Sequence, residues 1–276
     1  MAWFTPSSRF TILALALTLG PALNVSAQLP QSSSSSLGSQ LENSFRVPSR
    51  GLPENRQGGA TRGGGSDSDS SCFTDKDRRL TALVPIGGGE TAAEYPTIFW
   101  YMPRMIEKNG TQDGAPPAPA IEFTLTDAND REIYSANYPL TKSADGFVGT
   151  PGIMSLTVAK PLQVGQDYKW QLTLKCDSKG SDNSDNQRAI GGLKRVAQDP
   201  NLQLRAQQAS PEERLILYAQ ANLWYELLAN LIALRRDRPN DPTVVEAWNK
   251  VFVLVGLDPV SKQPRVQGTR TSTNSN

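Results

Sequence analysis

Three acids, Glu94, Glu122 and Glu132, and two cysteines, Cys72 and Cys176, are the side chains of this 276-residue chain whose types suggest chemistry. Two carboxyls facing one another can act as general acid and general base in a hydrolysis. They are the common acid–base pair still open, because the chain contains no histidine. The same absence removes Ser-His-Asp and Cys-His nucleophiles, histidine zinc sites and histidine pH switches. No Ser-x-x-Lys occurs, which disfavours a serine activated by lysine. Glu122 falls on the polar face of an alternating segment, where solvation is the usual role.

Other polar groupings have plainer readings. Gly87-Gly88-Gly89 lacks the Lys and Ser/Thr of a phosphate loop, and no helical pattern follows it. Asp67 and Asp69 alternate with serine in a solvated run. Asp127-Ala128-Asn129-Asp130 resembles a calcium loop only until Arg131, which stands where further oxygen ligands and a Gly belong, so it reads as a turn. No metal or cofactor is expected.

The formal charge is +1, from 28 basic and 27 acidic residues. Residues 1–27 read as a secretory leader, with Arg9 near the start, an apolar core from Ile12 to Leu19 and Val25-Ser26-Ala27 before the cut, predicted between Ala27 and Gln28. That apolar core is too short to span a bilayer. Loss of the leader leaves 27 bases against 27 acids, which argues against nucleic acid or an anionic membrane as the partner. Residues 28–71, rich in Ser, Gly and Asp, are expected to form a disordered linker, and 258–276 a loose tail.

Between them lie the elements that must position any site. Tyr168, Trp170, Leu172, Leu174 and Cys176 alternate with Lys169, Gln171, Thr173 and Lys175, a strand with one buried face. Further strands are predicted at 79–85, 96–102, 121–126, 131–138, 152–159 and 188–196. The segment 96–102 is apolar on both faces and so central in its sheet. Leu162, the turn at Gly165 and Tyr168 resemble the tyrosine corner of immunoglobulin-like domains. Residues 72–196 are therefore expected to form an antiparallel immunoglobulin-like β-sandwich. Trp100, Trp170, Trp224 and Trp248 all fall on apolar stripes and are expected in the core.

From about residue 197 the spacing becomes helical, giving an α+β chain with a helical subdomain over 197–257. Ser210-Pro211-Glu212-Glu213 is a helix start with a capping box. An apolar stripe runs through Trp224, Leu227, Leu228 and Leu231 to Arg235-Arg236, and Pro239 and Pro242 interrupt it. A last helix carries Val244, Trp248, Val251, Phe252 and Val255, closed by Gly256. Three short helices are expected, covering one another and packing against the sandwich or a partner.

Several islands carry a resemblance: Leu80-Thr81-Ala82-Leu83-Val84-Pro85, Pro96-Thr97-Ile98-Phe99-Trp100-Tyr101-Met102-Pro103, Gly149-Thr150-Pro151-Gly152-Ile153, Tyr168-Lys169-Trp170, and Leu217-Tyr218-Ala219 with Trp224-Tyr225. Together, over about residues 72 to 257, they resemble the secreted cyanobacterial domain-of-unknown-function family 928, for which no activity is assigned. Tyr218, Asn222, Trp224, Leu227, Leu231, Leu234 and Pro239 also resemble a single tetratricopeptide-type helix pair. Asn222 replaces the usual Gly and Leu227 the usual Ala, so one unbroken helix stays open as an alternative. A single pair cannot form a solenoid.

Cys72 and Cys176, alone in the chain and at strand ends, are expected to form a disulfide in an oxidising compartment, with two free thiols as the alternative. The functional expectation is a secreted or periplasmic non-catalytic module that binds a protein or an envelope polymer. A carboxylate-dependent envelope hydrolase is the alternative, and fold alone does not choose between them.

Overall fold

The computed structural model describes residues 35–48, 56, 79–106, 119–140, 147–148, 151–175, 186–257 and 260. The predicted cleavage site at Ala27 and Gln28, both cysteines (Cys72 and Cys176), Asp67 and Asp69 lie outside the described residues.

In chain order the elements are α1 (Leu37–Ser44), β1 (Thr81–Ala82), β2 (Gly89–Thr91), β3 (Thr97–Met102), β4 (Met105–Ile106), β5 (Ala120–Asp127), β6 (Glu132–Pro139), β7 (Phe147–Val148), β8 (Gly152–Thr157), β9 (Asp167–Lys175), β10 (Gln187–Arg195), α2 (Pro200–Gln208), α3 (Pro211–Gln220), α4 (Trp224–Asp237) and α5 (Pro242–Leu254). The chain is of the α+β class. Its strands make a five-stranded sheet in the order β2-β10-β9-β5-β6, a three-stranded sheet β1-β3-β8 and the pair β4-β7.

The alternating stretch becomes β9, the middle strand of the larger sheet. Tyr168, Trp170, Leu172 and Leu174 are buried along it, level with Ile121, Phe123 and Leu125 of β5. Two-sided apolarity places β3 between β1 and β8, with five of its six residues buried. The expected antiparallel pairing holds except at one edge, where β2 runs parallel to β10. That strand hides inside the segment read as a glycine turn. Gly87 and Gly88, at φ +87° and +86°, make the turn that Gly88 N–H closes onto the Pro85 carbonyl at 3.0 Å, and Gly89 already belongs to β2. Of the strand expected over 79–85, only Thr81 and Ala82 pair.

Four of the five described helices start at a residue whose side chain caps them; α4, which follows Leu223, does not. Ser210 and Glu213 form the full capping box of α3, and Asp199 and Asp241 cap α2 and α5, each followed by a Pro in the first turn. The Asp199-Pro200 signature marks α2, a helix beyond the three expected. Asn222 takes a left-handed φ of +60° between α3 and α4, so the two are separate helices and not one. All four tryptophans expected in the core are buried.

The expectation of a disordered linker over 28–71 fails at 35–48. Ser36 caps α1 by accepting from Ser39 N–H, and Leu37, Leu41 and Phe45, spaced four apart, are buried. The helix lies on α5 and α3. The abundance of Ser, Gly and Asp along the run conceals an apolar stripe only two turns long.

Candidate functional site

A buried polar cluster joins the first turn of α4 to the larger sheet. Three successive side chains form it: Trp224, Tyr225 and Glu226. The Trp224 indole Nε1 donates to the Leu83 carbonyl at 3.0 Å. Gly89 passes so close that a β-carbon on it would stand 2.8 Å from the Trp224 Cβ. The Tyr225 hydroxyl accepts from Trp170 Nε1 at 3.0 Å and donates to the Gly192 carbonyl at 2.9 Å. The central strand, its neighbour β10 and α4 are thus joined through one phenol. Burial pushes the ionisation of Tyr225 far up, so it stays a neutral hydroxyl that both donates and accepts.

Glu226 is the most unusual group. Its Oε1 accepts three hydrogen bonds, from Thr91 Oγ1 at 2.7 Å, Ala92 N–H at 2.9 Å and Ala93 N–H at 3.2 Å. Its Oε2 is buried with no hydrogen-bond partner. Burial raises its protonation range, against the lowering effect of the Thr91 and backbone donors. Position in the first turn of α4 favours a negative carboxyl through the helix dipole. Nearby Tyr218 is also shifted up, first by burial and then by the charge of Glu226, with Arg214 opposing. Chemically this arrangement is a clamp: a carboxyl spent on the strand end that follows β2, with its second oxygen enclosed.

The acids named from sequence do not converge. Glu122, on β5, pairs with Lys175 of β9 at 3.0 Å. Glu132 lies exposed on the outer strand β6 opposite Thr126, four positions along β5 from Glu122. That offset is about 13 Å along a strand. Glu94 is exposed in the β2–β3 connection, where its carbonyl accepts from Leu162 N–H at 3.0 Å. The Asp127–Asp130 segment is the turn expected. Asp127 Oδ1 accepts from Asn129 and Arg131 N–H at 2.9 and 3.1 Å, Asp130 takes φ +59°, and Lys169 pairs with Asp130. Among the described residues no group of three His, Cys, Asp or Glu could hold a metal ion.

A shallow groove of about 400 Å³ lies along α2 and α3, lined by Arg205, Gln208, Glu213, Ile216, Leu217 and Gln220. Its Glu213 carboxyl is already bonded to Ser210 N–H at 2.9 Å. No described helix is long and apolar enough to cross a membrane.

Tyr225 and Glu226 were not among the candidates from sequence. Their signal was an acid and a phenol set directly in the apolar stripe Trp224-Leu227-Leu228, where a solvated side chain would not be expected.

The family described as Domain of Unknown Function (DUF928) matches residues 57–265, which includes the whole seam between sheet and helices. The chain belongs to this family. The DUF928 match extends beyond the 72–257 of the sequence resemblance at both ends, yet begins after α1. No curated protein matches the chain. Among solved structures, the fn3 domain of the human collagen alpha-1(XX) chain is similar at 15% identity, over 49% of this chain and 94% of its own, with a TM-score of 0.22.

Proposed function

We propose that this DUF928 chain is an exported, non-catalytic module that binds a protein or an envelope polymer. In this reading the two sheets stack as an immunoglobulin-like sandwich, and α3 with α4 forms a single tetratricopeptide-type pair. The observation that carries it is the seam. Its polar groups are spent joining helices to sheet, so sheet and helices offer one continuous surface to a ligand. Support for the sandwich comes from the Tyr168 hydroxyl, which accepts from Gln163 N–H at 2.9 Å as a tyrosine corner does. Support for the helix pair comes from the left-handed turn at Asn222. The leader, the balanced mature charge and the expected Cys72–Cys176 disulfide fit a periplasmic or extracellular site without a membrane anchor or nucleic-acid partner.

The test uses the exported full-length chain. Intact mass is expected to give a mature protein starting at Gln28 with one disulfide, and a chain starting at Met1 would contradict export with cleavage. Mature protein should co-sediment with isolated envelopes and release no soluble product from them. Turnover that disappears in Glu122→Gln or Glu132→Gln would replace this reading with the carboxylate-dependent hydrolase.

A further inference from the structure

The segment from Ser35 to Arg56 lies outside the family match, which begins at residue 57, yet its described residues are seated on the family's own elements. Gly38 rests on the α5 backbone: a β-carbon there would lie 3.3 Å from the Ala247 Cα, so two small residues let α1 and α5 approach closely. Leu41 is fully buried, and the Phe45 ring packs on Trp224 with centroids 5.4 Å apart. Polar contacts fix the register. Ser36 Oγ donates to Glu246 Oε1 at 2.6 Å, and Lys250 Nζ reaches Ser39 Oγ at 3.0 Å and Glu42 Oε2 at 3.1 Å. Further on, the Arg56 guanidinium donates to the carbonyls of Val255 at 2.6 Å and Gly256 at 3.1 Å, beyond the end of α5.

An eight-residue helix is marginal alone in water, so α1 owes its form to the groove that holds it. The face made by α3 and α5 is therefore a receptor for a two-turn amphipathic helix with apolar side chains every fourth residue and one small residue beside the first. Its contacts do not depend on which copy of the chain supplies that helix. Residues 57–78, which join this strap to β1, include Gly58, Gly59 and Gly63-Gly64-Gly65 and set a maximum reach of roughly 70 Å. We propose that the strap exchanges between two copies, α1 of each seating in the α3–α5 groove of the other to give a closed dimer. This rests on the α1 contacts and not on the proposed binding of an envelope partner. A tethered helix meets its own groove at an effective concentration on the order of millimolar, so exchange becomes visible as the protein approaches that range.

The experiment follows the wild-type full-length chain by light scattering from about 20 μM to about 1 mM, alone and with a several-fold excess of a synthetic peptide of residues 35–48. A control peptide carries Leu41→Asp. The expected result is a dimer fraction that rises with concentration, falls at least about fivefold with the wild-type peptide and is unmoved by the control, whose charge cannot enter the buried Leu41 position. A monomer at every concentration, a dimer the wild-type peptide leaves intact, or a dimer both peptides dissolve alike overturns the proposal.

Discussion

Gly191 lies directly against the indole of Trp170, its partner across β9 and β10: a β-carbon at 191 would stand 2.2 Å from the ring Cζ2. The missing side chain is what lets Trp170 lie over β10 and point Nε1 at the Tyr225 hydroxyl. Gly191→Ala must therefore displace the ring or the strand. We expect a loss of about 1–3 kcal/mol in denaturant unfolding, with a red-shifted tryptophan emission as the indole leaves its apolar site. An alanine variant as stable as the wild type would show that the sheet yields there at no cost.

Tyr225→Phe keeps the ring and removes one oxygen. It leaves the Trp170 N–H and the Gly192 carbonyl buried without this partner, so a loss of about 1–3 kcal/mol is expected. Hydrogen exchange at β10 amides should quicken more than at β6, because the lost bond ties β10 to α4. Equal change in both strands would argue that the phenol does not hold the seam.

Glu226 gives the chain a pH dependence of definite sign. Burial raises its folded protonation range above that of the unfolded chain, with Thr91 and the backbone donors opposing. The folded state then binds the proton more tightly. The stability from this group is present below the ordinary glutamate range and is lost as pH rises through the raised one. Glu226→Gln should thus gain on the wild type in melting temperature as pH rises from the ordinary glutamate range, about pH 4, into the raised one. Tyr218 faces the same carboxyl but titrates above this window, as does Tyr225. A constant difference between the two proteins would mean that the carboxyl does not titrate in this range.

Asn222 holds φ +60° and accepts from Arg46 N–H at 2.9 Å through Oδ1, so it serves the α3–α4 turn and the strap together. Asn222→Gly should keep the turn and lose only the strap contact, while Asn222→Val adds left-handed strain of about 1–2 kcal/mol. Thermal unfolding should rank wild type and Gly close together, with Val well below. Val equal to Gly would place the turn outside the energetics of folding.

Those elements of this protein that were legible in its sequence follow from local rules. The period of two from Tyr168 to Leu174, the paired apolar faces of β3 and the Ser210 capping box are each contained in a few neighbouring residues, and each element formed there. The same local evidence allowed either one helix or two at Asn222, and tertiary contact with Arg46 accompanies the broken form. What the sequence did not reveal depends on residues far apart. The two-turn α1 is seated on α3 and α5, which lie near the other end of the chain. The parallel β2 exists only because β10 lies beside it. Two of the candidate acids, Glu122 and Glu132, alike as residue types, are separated by the register of β5 and β6. Glu226 was singled out instead by burial, and burial is a property of packing between distant segments that no local pattern encodes.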